Sequence, residues 1–226
     1  MKYNNIVKGT FLSRPNRFVA NVIIDGKETA VHVKNTGRCR ELLKEGAEIF
    51  LEKSSNPDRK YAYSLITVRK GDRLVNMDSQ APNKAVGEFL RESGFFPDIK
   101  LIRPECKYGN SRFDFYIEYE DKKAFIEVKG VTLENDGVVS FPDAPTERGS
   151  KHLRELCSCL KEGYEAYAIF VIQMKDVLYF TANADHDPAF AEALKKSRDE
   201  GVRLLAFDCT VTEDEMTVSD EVEIRI

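Results

Sequence analysis

The amino-acid sequence predicts two domains, an all-β barrel over residues 1–82 and a mixed α/β domain over residues 83–226. The first 80 residues alternate β-branched runs with turn signals, whereas the remainder mixes helical and strand periodicity. Between them lies the turn-like segment Gln80-Ala81-Pro82-Asn83. The hydrophobic fraction of 42% and the charged fraction of 32% are typical of a water-soluble globular protein.

In the first domain, strands are predicted over residues 6–12, 17–24 and 28–34, and the Asp25-Gly26 pair between the last two is a strong hairpin signal. A short helix is predicted over residues 38–44, ending before Gly46, and two further strands over residues 48–53 and 60–68. Three strands, a helix and two strands are the element order of an OB-fold barrel. A generic small β-barrel has the same order and stays an alternative.

In the second domain, a helix is predicted over residues 84–93, followed by three strands over residues 99–106, 112–119 and 124–130. A second helix follows Thr146 as its N-cap, with leucines at helical spacing, and ends at Gly163. The apolar run over residues 165–174 predicts a buried central strand. Four predicted elements complete the chain: the strand VLYFTA, a helix over residues 188–199, the strand VRLLAFDC and an acidic terminal run that is predicted to be a solvated edge.

Two carboxylates and one lysine stand out on the predicted strands of the second domain. Glu127 and Lys129 project from one face of their strand because side chains alternate along a strand. Asp114 lies on the preceding strand, on the face opposite Phe113, Phe115 and Ile117. The turn-like segment at residues 120–123 predicts a hairpin that brings the three polar groups together. A solvated ion pair on a strand surface is the competing interpretation.

The element order helix, three-strand meander, helix, strand is that of restriction-endonuclease-like nucleases, whose PD-(D/E)xK signature Asp114, Glu127 and Lys129 would supply. Phe113 stands where that signature has proline. Asp114 and Glu127 are predicted to bind Mg²⁺ or Mn²⁺, and Lys129 to orient or deprotonate the attacking water and offset charge on the phosphate. The third metal ligand is left open between Glu88 and Glu105, with Glu105 preferred.

Long segments of the chain resemble the sugar fermentation stimulation protein A family. They are SRFDF (111–115), EVKGVTL (127–133), FPDAPTERGSKHLREL (141–156), NTGRCRELL (35–43) and the stretch around NPDRKYAYSLI (56–66). The resemblance covers nearly the whole chain. It implies an N-terminal OB-like domain, a C-terminal nuclease-like domain and a role in DNA binding and in the regulation of sugar metabolism.

The two halves of the chain differ in charge, which indicates that the first half binds a polyanion. Residues 1–82 contain 15 basic and 9 acidic residues, which gives a net charge of +6. The remainder contains 19 basic and 29 acidic residues, which gives a net charge of −10. Basic residues that neutralise phosphates and an aromatic residue that stacks on bases form the predicted surface of the first domain: Arg14, Arg17, Arg38, Arg40, Lys60 and Tyr61. Arg148, Lys151 and His152 form a second predicted surface at the start of a helix. A barrel-filling role for Tyr61 and a core or solvated His152 are the alternatives.

The predicted partner is DNA, single- or double-stranded, with RNA as an alternative. The leading hypothesis is a DNA-binding protein with a Mg²⁺-dependent nuclease site. Its rivals are a non-catalytic regulator whose nuclease fold only binds DNA, and an OB module that binds saccharide. The first residues lack the uninterrupted apolar core of a signal peptide, and no apolar run reaches the length of a membrane span, so a cytoplasmic location is expected. The five cysteines are predicted to be reduced and mostly buried thiols. Self-association is left open.

Overall fold

The computed structural model describes residues 1–226, and its first sheet is a closed barrel. Its strands are β1 (Ile6–Asn16), β2 (Val19–Ile24), β3 (Lys27–Val33), β4 (Glu48–Lys53), β5 (Tyr63–Lys70) and β6 (Arg73–Asn76). The strand order is β3-β2-β1-β4-β5-β6, and a parallel pairing of β3 with β5 closes the first five strands into a ring. This is the OB-fold that the sequence predicts.

The helix predicted over residues 38–44 is absent, and the segment is a turn. Cys39 is buried with φ at 47°, a left-handed conformation that cannot continue a helix. Its carbonyl accepts hydrogen bonds from the N–H groups of Leu42 and Leu43, which closes the turn. Seven residues are too few to form a helix without strong tertiary support. Strand β6 was not predicted from the sequence either.

The second domain contains three helices, α1 (Ala81–Glu92), α2 (Glu147–Lys161) and α3 (Pro188–Asp199). Its strands are β7 (Ile99–Tyr108), β8 (Ser111–Tyr119), β9 (Lys122–Val131), β10 (Leu133–Asn135), β11 (Val138–Phe141), β12 (Glu165–Ile172), β13 (Tyr179–Ala182), β14 (Arg203–Val211) and β15 (Met216–Glu221). The main sheet has the order β15-β14-β12-β9-β8-β7, and its central strands β9, β12 and β14 are parallel. The antiparallel β7-β8-β9 meander followed by a helix and a parallel strand gives this domain the restriction-endonuclease-like fold.

The helices cover both faces of the main sheet. Buried residues of α1 pack with Ile126 and Val128 of β9, and buried leucines of α2 pack with Phe113 and Phe125 on the other face. The α2 helix begins as the sequence predicts, because the Thr146 hydroxyl accepts a hydrogen bond from Gly149 N at 3.0 Å. The acidic terminal run forms β15, the edge strand of the sheet. No helix is long and apolar enough to cross a membrane.

A buried hydrogen-bond network joins the barrel to the α/β domain. Gln173, at the end of β12, is 2% exposed. Its side-chain Nε2 donates to the carbonyl oxygens of Asn76 and Asp78 at 3.0 and 3.1 Å, and its own carbonyl accepts from Asn76 N at 2.9 Å. Because buried polar groups are stable only when they are hydrogen-bonded, this network fixes how the two domains pack.

Candidate functional site

The strands β8 and β9 separate at Asp114. Their ladder ends at the pair Phe115–Ile126, and beyond it Asp114 Oδ2 accepts the backbone N–H of Val128 at 2.7 Å. A side-chain carboxylate therefore takes the place of a strand carbonyl at this point. It also lies beside Glu127, the residue that precedes Val128.

Asp114 is held from two sides. Its Oδ1 accepts a hydrogen bond from Asn83 Nδ2 of α1 at 2.7 Å. Burial and the negative charge of Glu127 raise the pKa of Asp114, and the hydrogen bonds from Val128 and Asn83 only partly oppose that rise. Two carboxylates are thus held close enough to repel each other, an arrangement that a cation would relieve.

Glu127 is 3% exposed, and its two oxygens differ in their surroundings. Oε1 accepts from both Lys129 Nζ and His152 Nδ1, whereas Oε2 is buried and has no hydrogen-bond partner in the protein. Burial alone would raise the pKa of Glu127, but the hydrogen bond from His152 and the charge of Lys129 outweigh it, so that the pKa is lowered. Glu127 is therefore an ionised carboxylate with one oxygen unsatisfied.

The hydrogen-bonding roles of the two His152 ring nitrogens follow from their neighbours. Arg148 Nε, which can only donate, lies 3.4 Å from His152 Nε2, so Nε2 accepts. Nδ1 then carries a hydrogen and donates a hydrogen bond to Glu127 Oε1. His152 is 4% exposed, so the structure places it in the core beside Glu127 and corrects its prediction as a nucleic-acid contact on the surface.

The structure corrects the predicted faces of β8. The rings of Phe113 and His152 lie 6.0 Å apart on the α2 side of the sheet, whereas Phe115 packs with Ile117 and α1 on the other side. The two phenylalanines therefore do not share a face. The strand turns over at Asp114, where it parts from β9.

Neither candidate for a third metal ligand joins Asp114 and Glu127. Glu88 and Glu105 line the same open cavity as Asp114, about 400 Å³ in volume. However, Glu88 pairs with the Met1 amino group at 2.6 Å, and Glu105 is exposed and pairs with Arg112 at 3.6 Å. No group of three or more His, Cys, Asp or Glu side chains could hold a metal ion. The geometry does not bear out the preference for Glu105.

Gly130, directly after Lys129, is required by close packing. A Cβ at this position would lie 2.6 Å from Gln173 Oε1 and 2.7 Å from Pro82 Cγ. Both contacts are closer than real Cβ atoms tolerate. The glycine thus lets the start of α1 and the end of β12 approach the strand that carries Glu127 and Lys129.

Arg14, predicted to bind nucleic acid, instead holds a loop of the barrel together. Its guanidinium donates to the carbonyls of Gly37, Arg38 and Arg17 at 2.8 Å each and of Asn35 at 2.6 Å. Both terminal nitrogens of the guanidinium are therefore engaged by the protein, whereas Nε is buried without a hydrogen-bond partner. Sequence reasoning could not separate this arginine from its exposed neighbours, because nothing local marks an inward-facing guanidinium.

The other predicted nucleic-acid residues are exposed or half-buried and fall into three places. Arg17, Arg38 and Arg40 are exposed, form no ion pair and line one cavity on the barrel. Lys60 lies 5.3 Å from the ring centroid of Tyr61, which precedes β5 and does not fill the barrel. Arg148 and Lys151 lie on the first turns of α2, and Lys151 Nζ donates to Asn110 O at 3.3 Å.

Asn83 and Gln173 support the site and were missed by the sequence analysis. Asn83 was interpreted as part of a turn, yet proline is common at the first positions of a helix, so Pro82 could have placed Asn83 inside the first turn of α1. Gln173 lies within an otherwise apolar predicted strand. A polar residue in such a run is the signal that could have identified it.

Comparison with known proteins relates both domains to one family. Residues 80–215 match the family model described as "Sugar fermentation stimulation protein RE domain", and residues 12–77 match "SfsA N-terminal OB domain". A sugar fermentation stimulation protein homolog from Clostridium beijerinckii is 58% identical over 224 residues, which cover 99% of each chain. One from Desulfitobacterium hafniense is 56% identical over 226 residues, 100% of this chain and 99% of the relative.

Among solved structures, SfsA of Pyrococcus furiosus in complex with Ca²⁺ is similar over the whole chain. The TM-score is 0.91 at 26% sequence identity, and the match covers 100% of this chain and 98% of the other. The two proteins therefore share both domains and their relative placement.

Proposed function

We propose that this chain, which belongs to the sugar fermentation stimulation protein family, binds DNA and hydrolyses phosphodiester bonds with a divalent metal ion at Asp114 and Glu127. The observation that carries the proposal is the unsatisfied Oε2 of Glu127, buried beside a second carboxylate. A buried charged oxygen without a partner is costly, and a cation would supply the missing partner.

The residues fit a hard divalent cation. Mg²⁺ binds oxygen ligands, keeps several of its waters and is often held by only one or two carboxylates. Asp114 and Glu127 supply two, so the proposal needs no third acidic side chain. The related protein from Pyrococcus furiosus was solved with Ca²⁺, which also takes oxygen ligands, and this supports a site for a divalent ion in the family.

The neighbouring residues suit phosphodiester hydrolysis. When bound, the metal ion would polarise a phosphoryl oxygen and lower the pKa of a bound water. Lys129, two residues after Glu127 on the same face of β9, can donate to the phosphate and offset its charge. His152 holds Glu127 in place through Nδ1–H, and Asn83 holds Asp114.

DNA is the proposed substrate because the basic half of the chain presents exposed, unpaired arginines. Arg17, Arg38 and Arg40 can each neutralise a backbone phosphate. The barrel to which they belong is a fold that often binds single-stranded nucleic acid.

The test is incubation of the protein with single- and double-stranded DNA and RNA in the presence of Mg²⁺ or Mn²⁺. We expect the wild type to cleave DNA, Glu127→Ala to lose cleavage and the matched control Glu92→Ala, an exposed acid at the end of α1, to retain it. Cleavage that persists in Glu127→Ala would refute the site. Binding without cleavage by every variant would identify a non-catalytic DNA-binding regulator, and salt-indifferent binding of oligosaccharides would identify a saccharide module.

A further inference from the structure

A cavity of about 670 Å³ lies between the barrel and the α/β domain. On the barrel side it is lined by Arg38 and Arg40, and on the other side by Asn135, Ser140 and the segment after β13. None of the residues assigned above to the metal site lines it.

This cavity continues in two directions. It shares Arg38 and Arg40 with a cavity of about 320 Å³ on the barrel surface, which Arg17 also lines. It shares Ser140 with a smaller one of about 120 Å³, which is lined by Gly130. The three cavities adjoin one another through these shared residues and are here together called the interdomain groove.

The arginines of the groove stand on a fixed loop. Arg14 donates to three carbonyls within residues 35–38 and to the carbonyl of Arg17, as described above. The Asn35 side chain accepts from Gly37 N at 2.8 Å and donates to Met77 O at 3.0 Å, and Cys39 anchors the loop in the core. Arg38 and Arg40 flank that anchor and are exposed. A loop ordered in advance loses less entropy when a ligand binds.

The two ends of the cavity differ in chemistry. Arg38 and Arg40 form no ion pair, and a free guanidinium suits a phosphate because it can donate two parallel hydrogen bonds. On the opposite wall, neither the Asn135 amide nor the Ser140 hydroxyl has a hydrogen-bond partner in the protein, so both are available to the edge of a base. Carboxylates of Glu41, Asp143 and Asp185 also line the cavity.

We infer that the interdomain groove binds a single strand of DNA, with its phosphates on Arg38 and Arg40 and its unpaired bases in the cavity. A cavity of this size matches the range of about 300–1,000 Å³ found for small-molecule sites, so it admits one or two nucleotides. In a duplex the Watson–Crick edges of the bases are already paired, so only a single strand can offer them to the cavity. This inference rests on the proposed function and specifies its substrate as single-stranded DNA or the single-stranded flank of a duplex.

The test measures binding of fluorescently labelled oligonucleotides by anisotropy in EDTA, which separates binding from cleavage. We expect the wild type to bind a single strand more tightly than a blunt duplex of the same length. The double variant Arg38→Ala/Arg40→Ala should bind the single strand at least about tenfold more weakly. The slope of log Kd against the logarithm of the salt concentration should fall by about 1.4, because each of the two lost phosphate contacts contributes about 0.7 to the slope for a single strand.

The matched control is Arg154→Ala/Lys161→Ala, which removes two positive charges from a cavity that shares no residue with the groove. It should bind like the wild type. A second variant, Ala184→Phe, narrows the cavity without changing charge and should weaken binding of the single strand. Thermal melting of each variant identifies any loss of binding that comes from unfolding.

Equal binding of single strand and duplex by the wild type would overturn the inference, and so would wild-type affinity in both Arg38→Ala/Arg40→Ala and Ala184→Phe. The outcome is independent of the metal site. If the wild type never cleaves DNA but the groove variants no longer bind the single strand, the result supports the groove as a binding site and refutes the nuclease proposal. If cleavage depends on Glu127 but the groove variants bind the single strand normally, the result refutes the groove as a binding site and supports the metal site.

Discussion

Replacing Arg14 distinguishes an arginine that holds the fold from one that binds phosphate. Its four hydrogen bonds reach two partly buried carbonyls, of Gly37 and Asn35, and two exposed ones. A hydrogen bond from a charged donor contributes about 1.5 kcal/mol at the low end, and the exposed carbonyls can bond water instead. Arg14→Ala should therefore lower the free energy of unfolding by about 2–3 kcal/mol, or the melting temperature by about 4–12 °C for a chain of this size.

The informative variant is Arg14→Lys, because it keeps the charge and loses the planar set of donors. We expect Arg14→Lys to melt nearly as early as Arg14→Ala, whereas the exposed control Arg154→Ala should melt like the wild type. Urea unfolding, followed by circular dichroism, gives the free energy of unfolding of all three variants. Wild-type stability of Arg14→Lys together with weaker DNA binding of Arg14→Ala would refute the structural role and restore a direct phosphate contact.

Three further predictions concern the α/β domain. Asp114→Asn should raise the melting temperature at pH 7 in EDTA, because the raised pKa of Asp114 means that its charge costs stability, and Asn83 can turn its amide to suit the new side chain. The gain should shrink as the pH falls toward the ordinary aspartate value of about 3.9, and a gain that does not change with pH would contradict this cause. His152→Ala should weaken Mn²⁺ binding about 10–100-fold in a calorimetric titration. His152→Asn, whose amide nitrogen can replace Nδ1, should recover part of the lost affinity. An equal loss of affinity in the two variants would contradict the role of Nδ1–H. A thiol reagent should label Cys106 quickly in the native protein and the other four cysteines only after unfolding, because those four are buried. Burial also raises the pKa of Cys157 to about 11 and of Cys39 to about 12. Fast labelling of more than one thiol would contradict the burial of these side chains.

Strand periodicity and turn signals predicted much of the fold. The bounds of β4 agree with the prediction, and the long apolar run became the central strand β12. The wrong prediction of a helix has a tertiary cause. The segment over residues 38–44 has helix-forming residues, but burial of Cys39 in a left-handed conformation prevents a helix, and no sequence rule registers that tertiary demand.

The site was predicted less completely than the fold. Alternation along β9 predicted that Glu127 and Lys129 share a face, and the two side chains are in contact. The positions of His152 and Asn83 depend on how two helices pack on opposite faces of the sheet, which spacing along the chain does not encode. The roles of Asp114, Glu127 and Lys129 in metal binding and hydrolysis, and the assignment of DNA binding to residues 1–82, stay predictions.

Calorimetric titration of the metal-free protein with Mn²⁺ measures whether Asp114 and Glu127 bind a divalent cation together. We expect saturable binding by the wild type and by Glu92→Ala, and loss of that binding in both Asp114→Asn and Glu127→Gln. Unchanged affinity in either of these two variants would show that the two carboxylates do not bind the ion as a pair.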